Sequence, residues 1–269
     1  MIKTSSAPGS KSDRTHPGQA EPRGFFFSSS LLRHASPTMT AVMVDAAFFL
    51  NRALRIYGHL TPEHAAKRLH GMALDHLNDS QSGQRTARLY RIFVYDAPPA
   101  AWKGHYPISK LAVDLSRSET AIWRRAFHEA LRGMRKVALR LGEIPTNNIR
   151  WELRPEVLKE LLNGRRNWQM LKDEDFRLNF RQKGVDMRLG IDIASIALKK
   201  QVNQIVLVSG DADFVPAAKL ARREGIDFIL DPMWATIRPQ LFEHIDGLRS
   251  VCPKTDQRGK PPTEACPND

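Results

Sequence analysis

The sequence predicts an α/β fold, a three-layer sandwich with a mostly parallel central sheet flanked by helices. Segments of strand length alternate with segments of helical period for most of the chain, the order a parallel sheet with crossover helices requires. The strand-length runs Ala41–Val44, Leu89–Tyr95, Ile205–Val208 and Ile226–Leu230 are largely apolar, as expected of strands covered on both faces. Three of them lead into aspartates, Asp45, Asp96 and Asp211. Open parallel sheets bind their ligands at the carboxyl ends of their strands, so this pattern points to an acidic centre there.

With 269 residues the chain can bury a substantial core, and one domain with ragged ends fits better than two. We place a disordered extension at 1–39, the folded domain at 40–251 and a disordered tail at 252–269. The extension is rich in Ser, Pro and Gly without apolar period. Its one apolar patch, Phe25–Leu32, is too short and serine-rich for a membrane span, and it sits too late for a signal peptide. A transit peptide is poorly matched because Asp13 and Glu21 interrupt it, and a start near Met39 would also account for the extension. The net charge of +12 fits a polyanionic partner, nucleic acid or an anionic surface, but a generically basic chain fits as well. The two cysteines, Cys252 and Cys266, give neither zinc spacing nor a disulfide framework, so a cytoplasmic setting is expected.

In chain order, the strand ending at Asp45 continues as a helix from Ala46, which Asp45 could also cap. Thr61-Pro62-Glu63 opens a second helix running to about Leu77. The strand Leu89–Tyr95 stops at Asp96 before Pro98-Pro99. Between Ser116 and Leu141 the period predicts a helix with Ile122, Ala126, Phe127, Ala130, Leu131 and Met134 inward. Its other side carries Arg124, Arg125, His128 and Arg132, a face that is either solvated or a phosphate track. Val137–Leu141 and Ile149–Leu153 are expected to pair as strands across the intervening loop. The scattered tryptophans in this basic region could stack on bases, but Trp123 and Trp151 read as core.

Residues 183–216 organise the rest. Asp186 opens a helix with Leu189, Ile193, Ile196 and Ala197 at helical spacing. After the strand Ile205–Val208, Ser209-Gly210-Asp211-Ala212-Asp213-Phe214-Val215-Pro216 turns into another helix, with Gly210 in the turn, Asp213 as expected N-cap and Pro216 in the first turn. Two aspartates held this close repel unless a cation compensates, and a divalent metal is the simplest compensator. That helix ends at Gly225, the strand Ile226–Leu230 follows, and a final helix is expected after Ile237.

Val44-Asp45 with its apolar helix, Arg91–Asp96, Gln182-Lys183-Gly184-Val185-Asp186 and Ser209–Pro216 together resemble the NYN domain family, LabA-like proteins within the PIN-like nuclease superfamily. The resemblance runs from about Thr40 to Val251, and His244-Ile245-Asp246 resembles the family's closing acid. It implies a Rossmann-like, PIN-like sheet and a pocket that binds Mg²⁺ or Mn²⁺ and cuts RNA. Asp45, Asp186, Asp211 and Asp213 match the family's acids and are the expected metal ligands and catalytic residues. Asp192 matches a further acidic position, six residues along the same helix, and is expected to orient a ligand. Lys183, Ser209, Arg124 and Arg132 are the candidate substrate contacts. Many relatives carry Asp-Gly-x-Asn after the first strand, whereas Phe48 stands here in place of the amide.

The expected function is therefore a metal-dependent ribonuclease acting on single-stranded or structured RNA, with no membrane partner and a homodimer allowed. The alternative is a non-catalytic RNA-binding or regulatory module. A haloacid-dehalogenase-type phosphatase would want a second acid where Ala47 stands. No Gly-rich loop followed by Lys-Ser or Lys-Thr supports a P-loop NTPase, and no glycine fingerprint follows Val44 for a dinucleotide.

Overall fold

A computed structural model describes residues 37–79, 81–145, 149–180 and 183–254. The expected extension lies outside the described residues as far as position 36, and the expected tail does so beyond position 254. The chain runs through β1 (Thr38–Asp45), α1 (Ala46–Tyr57), α2 (Pro62–Asp75) and β2 (Ala87–Asp96). A short hairpin, β3 (Lys103–His105) and β4 (Ala112–Asp114), then precedes α3 (Glu119–Arg132) and β5 (Val137–Leu141). Next come β6 (Arg150–Leu153), α4 (Pro155–Leu162) and β7 (Phe176–Asn179), then α5 (Val185–Leu198) and β8 (Gln204–Val208). The chain closes with α6 (Val215–Arg223), β9 (Asp227–Asp231), α7 (Pro239–Phe242) and β10 (Gly247–Leu248).

Six strands form one parallel sheet in the order β10-β9-β8-β1-β2-β5. Alternation along each strand divides the core between the two faces. Val42, Val44, Val206 and Val208 join Phe49, Leu69 and Phe127 on one side. Ala41, Met43, Ile205 and Leu207 join Leu189, Ile193 and Phe214 on the other. The first layer is therefore α1, α2 and α3, and the second α5 and α6, with the sheet between them. Side chains such as Phe49, Leu69, Leu189 and Ile193 are almost wholly enclosed, each worth roughly 1.5–3 kcal/mol of burial. Between Thr40 and Ala41 the β1–β2 register slips by one residue, leaving Tyr90 without a partner. This bulge lets Leu89 and Ile92, three apart, face the same core, which strict alternation forbids.

Several local expectations give way to tertiary contacts. Val137–Leu141 and Arg150–Leu153 do not pair: β5 extends the main sheet alongside β2, while β6 pairs antiparallel with β7. A buried carboxylate rotates α3 from its apolar stripe. Arg124 and His128, one turn apart, both donate to Asp96 Oδ2 at 2.9 and 2.8 Å. His128 is thereby drawn inside while Ile122 stays 54% exposed. The final helix is a single turn, followed by the small edge strand β10. Cys252 is buried rather than lying in a solvated tail, and burial pushes its thiol up to about 12. Among the described residues no helix is long and apolar enough to cross a membrane.

Candidate active site

From β1 the chain proceeds outward to β2 and β5 on one side and to β8, β9 and β10 on the other, so the strand order reverses between β1 and β8. The carboxyl ends of these two strands flank the crevice in which open parallel sheets bind ligands. Asp45 ends β1 and caps α1, its Oδ1 accepting from the Phe48 N–H at 3.1 Å. Beside it, Val208 leads into Ser209, Gly210 and Asp211. Ser209 is fully buried and its hydroxyl accepts from the Asp211 N–H at 3.2 Å. The carboxylate of Asp211 in turn accepts from the Asp213 N–H at 3.1 Å. Asp211 thus caps a 3₁₀ turn, Ala212–Phe214, that leads into α6, so the capping role expected of Asp213 falls to Asp211. An ideal Cβ on Gly210 would stand 2.8 Å from the Phe48 ring. Glycine fits here because the Phe48 ring lies against this turn.

Asp186 arrives from the opposite layer. Lys183 exchanges both backbone hydrogen bonds with Glu143, at 2.8 and 2.9 Å, which ties the start of α5 to the loop after β5. Gly184 caps the helix at φ +80°, a left-handed conformation that favours glycine. Gly142 lets the two segments meet closely: a Cβ there would fall 2.6 Å from Val185 Cγ2. Val185 is buried, so Asp186 occupies the first helical turn on the exposed side.

The electrostatics tie these acids together. Burial pushes Asp45 up to about 6, opposed by the Phe48 N–H and reinforced by the negative charge of Asp186. Burial, then the charges of Asp211 and Asp213, raise Asp186. No lysine or arginine is among the leading influences on either group. As the side chains stand, no three His, Cys, Asp or Glu groups among the described residues converge enough to hold a metal ion. The donor chemistry nevertheless fits a hard divalent cation, since it is a set of uncompensated carboxylates.

The structure therefore brings Asp45, Asp186, Asp211 and Asp213 into one electrostatic group and places the other candidates around it. Asp192 accepts from Tyr95 Oη at 2.9 Å and pairs with Arg140 at 3.3 Å, turned toward β2 and β5. Arg124 reaches the crevice's flank through Asp96, whose charge is felt at Asp45. Arg132 lies at the other end of α3, paired with Glu129. Asp246, the resembling closing acid, pairs with Arg222 at 2.7 Å and accepts from the Phe228 N–H. Sequence reasoning missed Gly142 and Glu143, whose roles depend on contacts about forty residues away.

A parallel six-stranded sheet between two helical layers, with acids over its switch point, is an α/β three-layer sandwich consistent with the PIN-like kind. Residues 157–237 match the NYN domain model. The match includes Lys183, Asp186, Ser209, Asp211 and Asp213. No curated protein matches the chain. A crystal structure of a protein of unknown function from Vibrio parahaemolyticus is similar at 14% identity, covering 82% of this chain and 96% of that one, with a TM-score of 0.44.

Proposed function

We propose that this protein is a divalent-metal-dependent ribonuclease that hydrolyses phosphodiester bonds in the crevice between the ends of β1 and β8. The observation that carries the reading is the group of carboxylates from β1, α5 and the β8–α6 turn, in which burial and neighbouring negative charge raise Asp45 and Asp186 without a leading cationic partner. Asp45, Asp186, Asp211 and Asp213 would hold Mg²⁺ or Mn²⁺. When bound, such an ion would polarise the phosphoryl group and activate water for in-line attack.

The chain's own groups divide the remaining work. The Phe48 N–H fixes the Asp45 carboxylate, and the Ser209 hydroxyl sets the backbone from which Asp211 projects. Lys183, exposed beside Asp186, would meet a phosphate oxygen. Arg124 would hold the flanking strand, while Arg132 could act only on a longer one. Such contacts position the backbone and carry no sequence information. Asp192 would act indirectly, through Tyr95 and Arg140.

The test is cleavage of a labelled single-stranded RNA with Mn²⁺ or Mg²⁺, wild type against Asp211→Asn, with chelator as control. Metal-dependent cutting that disappears in Asp211→Asn is expected. Tight RNA binding without cleavage by clean wild type, across several substrates and both metals, would instead favour a non-catalytic binding module. The Phe48 ring in place of an amide is the feature that favours that second reading.

A further inference from the structure

Both excursions from the main sheet leave at its carboxyl edge. The first follows β2 and contains the β3–β4 hairpin; the second follows β5 and contains β6, α4 and β7. They pack on each other. Trp151 on β6 donates its indole N–H to the His105 carbonyl at 2.9 Å and lies 5.3 Å from the Tyr106 ring, centroid to centroid. Trp102 also meets Trp151, edge-on at 6.3 Å. The Asp173 carboxylate accepts from the Ile108 and Ser109 N–H groups, closing the contact.

A groove of about 760 Å³ opens where these pieces meet, lined by Tyr106, Trp151, Phe176, Arg154, Lys172 and Arg177. Its two acids are already engaged, Asp173 by those backbone donors and Glu174 by Lys172 at 3.9 Å. Arg154 donates its Nε–H to the Glu174 carbonyl at 2.9 Å, and its guanidinium forms no ion pair among the described residues. We infer that this groove holds a nucleotide of single-stranded RNA away from the point of cleavage, stacking its base on the Tyr106–Trp151 pair and meeting its phosphate with Arg154.

Three arguments favour that occupant. Every base offers a flat face, and aromatic platforms beside cations bind single strands without needing a particular sequence. An acidic peptide would satisfy Arg154 but would leave the fixed ring pair unused. The groove is also covalently close to the acids: Arg177 precedes Lys183 by six residues, so at most about 21 Å of extended chain separates them. A strand threaded through the crevice can therefore reach the groove. In a duplex the bases are already stacked and paired, so the groove selects unpaired RNA.

The inference rests on the proposed nuclease activity, and its test separates the two. Full-length Asp211→Asn protein is titrated into fluorescein-labelled single-stranded RNA, with a duplex of equal length as comparison. Adding Arg154→Gln is expected to weaken single-strand binding severalfold and to reduce the salt slope by about 0.7, one phosphate's worth. Tyr106→Ala is expected to weaken single-strand binding while leaving the salt slope unchanged. Duplex binding should respond to neither. Melting curves check that each variant folds. In the otherwise wild-type chain, the same substitutions should leave hydrolysis of bis(p-nitrophenyl) phosphate unchanged, because that substrate is too small to span crevice and groove. Unchanged single-strand binding in folded groove variants overturns the inference while the nuclease reading stands, and points to a protein ligand for the groove. Failure of the parent to bind any RNA overturns both.

Discussion

Asp45 is held where its charge is least comfortable. It ends a strand in the core, caps a helix and faces other acids, and burial outweighs the capping hydrogen bond so that its carboxyl sits near 6 rather than 3.8. A raised carboxyl destabilises the fold above that value. The penalty is fully present above pH 6, shrinks as the pH falls through 6 and is gone below about pH 4. At about 1.4 kcal/mol per pKa unit it amounts to at most roughly 3 kcal/mol. Asparagine keeps the cap acceptor without the charge. Metal-free Asp45→Asn should therefore melt higher than wild type at pH 8, with the difference closing by pH 4, while RNA cleavage is lost. Equal melting curves at pH 8 would sink this account. Asp96 marks the limit of reading such acids from sequence. It too ends a parallel strand, but Arg124 and His128 satisfy it inside the core. A strand-end acid is visible in sequence; the cation that neutralises it belongs to a helix whose rotation is set by folding.

Among the elements, α5 carries the greatest demand of the proposed site, because its first turn must deliver Asp186 across the sheet's edge. Its position is set by the Lys183–Glu143 backbone pair and by the absence of a side chain at Gly142. Gly142→Ala would drive a methyl group to within 2.6 Å of Val185 and 2.7 Å of the Lys183 carbonyl. Relief requires the start of α5 to move, at about 1–3 kcal/mol. The expected result is a lower melting temperature and a larger loss of cleavage than that stability change alone would produce, read from activity at a temperature where the variant is fully folded. The α5 stripe was legible because its apolar spacing and its burial agree. The pairing of β6 was not: its partner β7 lies beyond α4, and a four-residue strand carries too little pattern to choose between neighbours. In α3, hydropathy pointed one way and the buried Asp96 pulled another, so the spacing of apolar residues gave the helix without its rotation.

For the whole molecule, layer order was legible because β1, β2, β8 and β9 are apolar on both faces and separated by helical segments, a combination that leaves few arrangements other than a covered parallel sheet. The acids at the strand ends were legible for the same reason. The two excursions that build the aromatic groove were not, since their packing rests on side chains such as Trp151 and Asp173 meeting residues some 45–65 positions away. The central strand has a consequence for biosynthesis. β1 pairs with β8 across 164 residues, Thr40 opposite Gln204, and that partner flanks the crevice. At usual translation speeds β1 waits on the order of ten to thirty seconds for β8 to be made. A fragment ending at Asn203 should therefore show no cooperative melting transition and bind no Mn²⁺, checked by calorimetry and titration; a sharply melting, Mn²⁺-binding fragment would contradict this. A ribonuclease of the proposed kind, assembled in that order, would stay harmless to the message being read until Asp211 and Asp213 have left the ribosome, so the chain's own length would act as its safety delay.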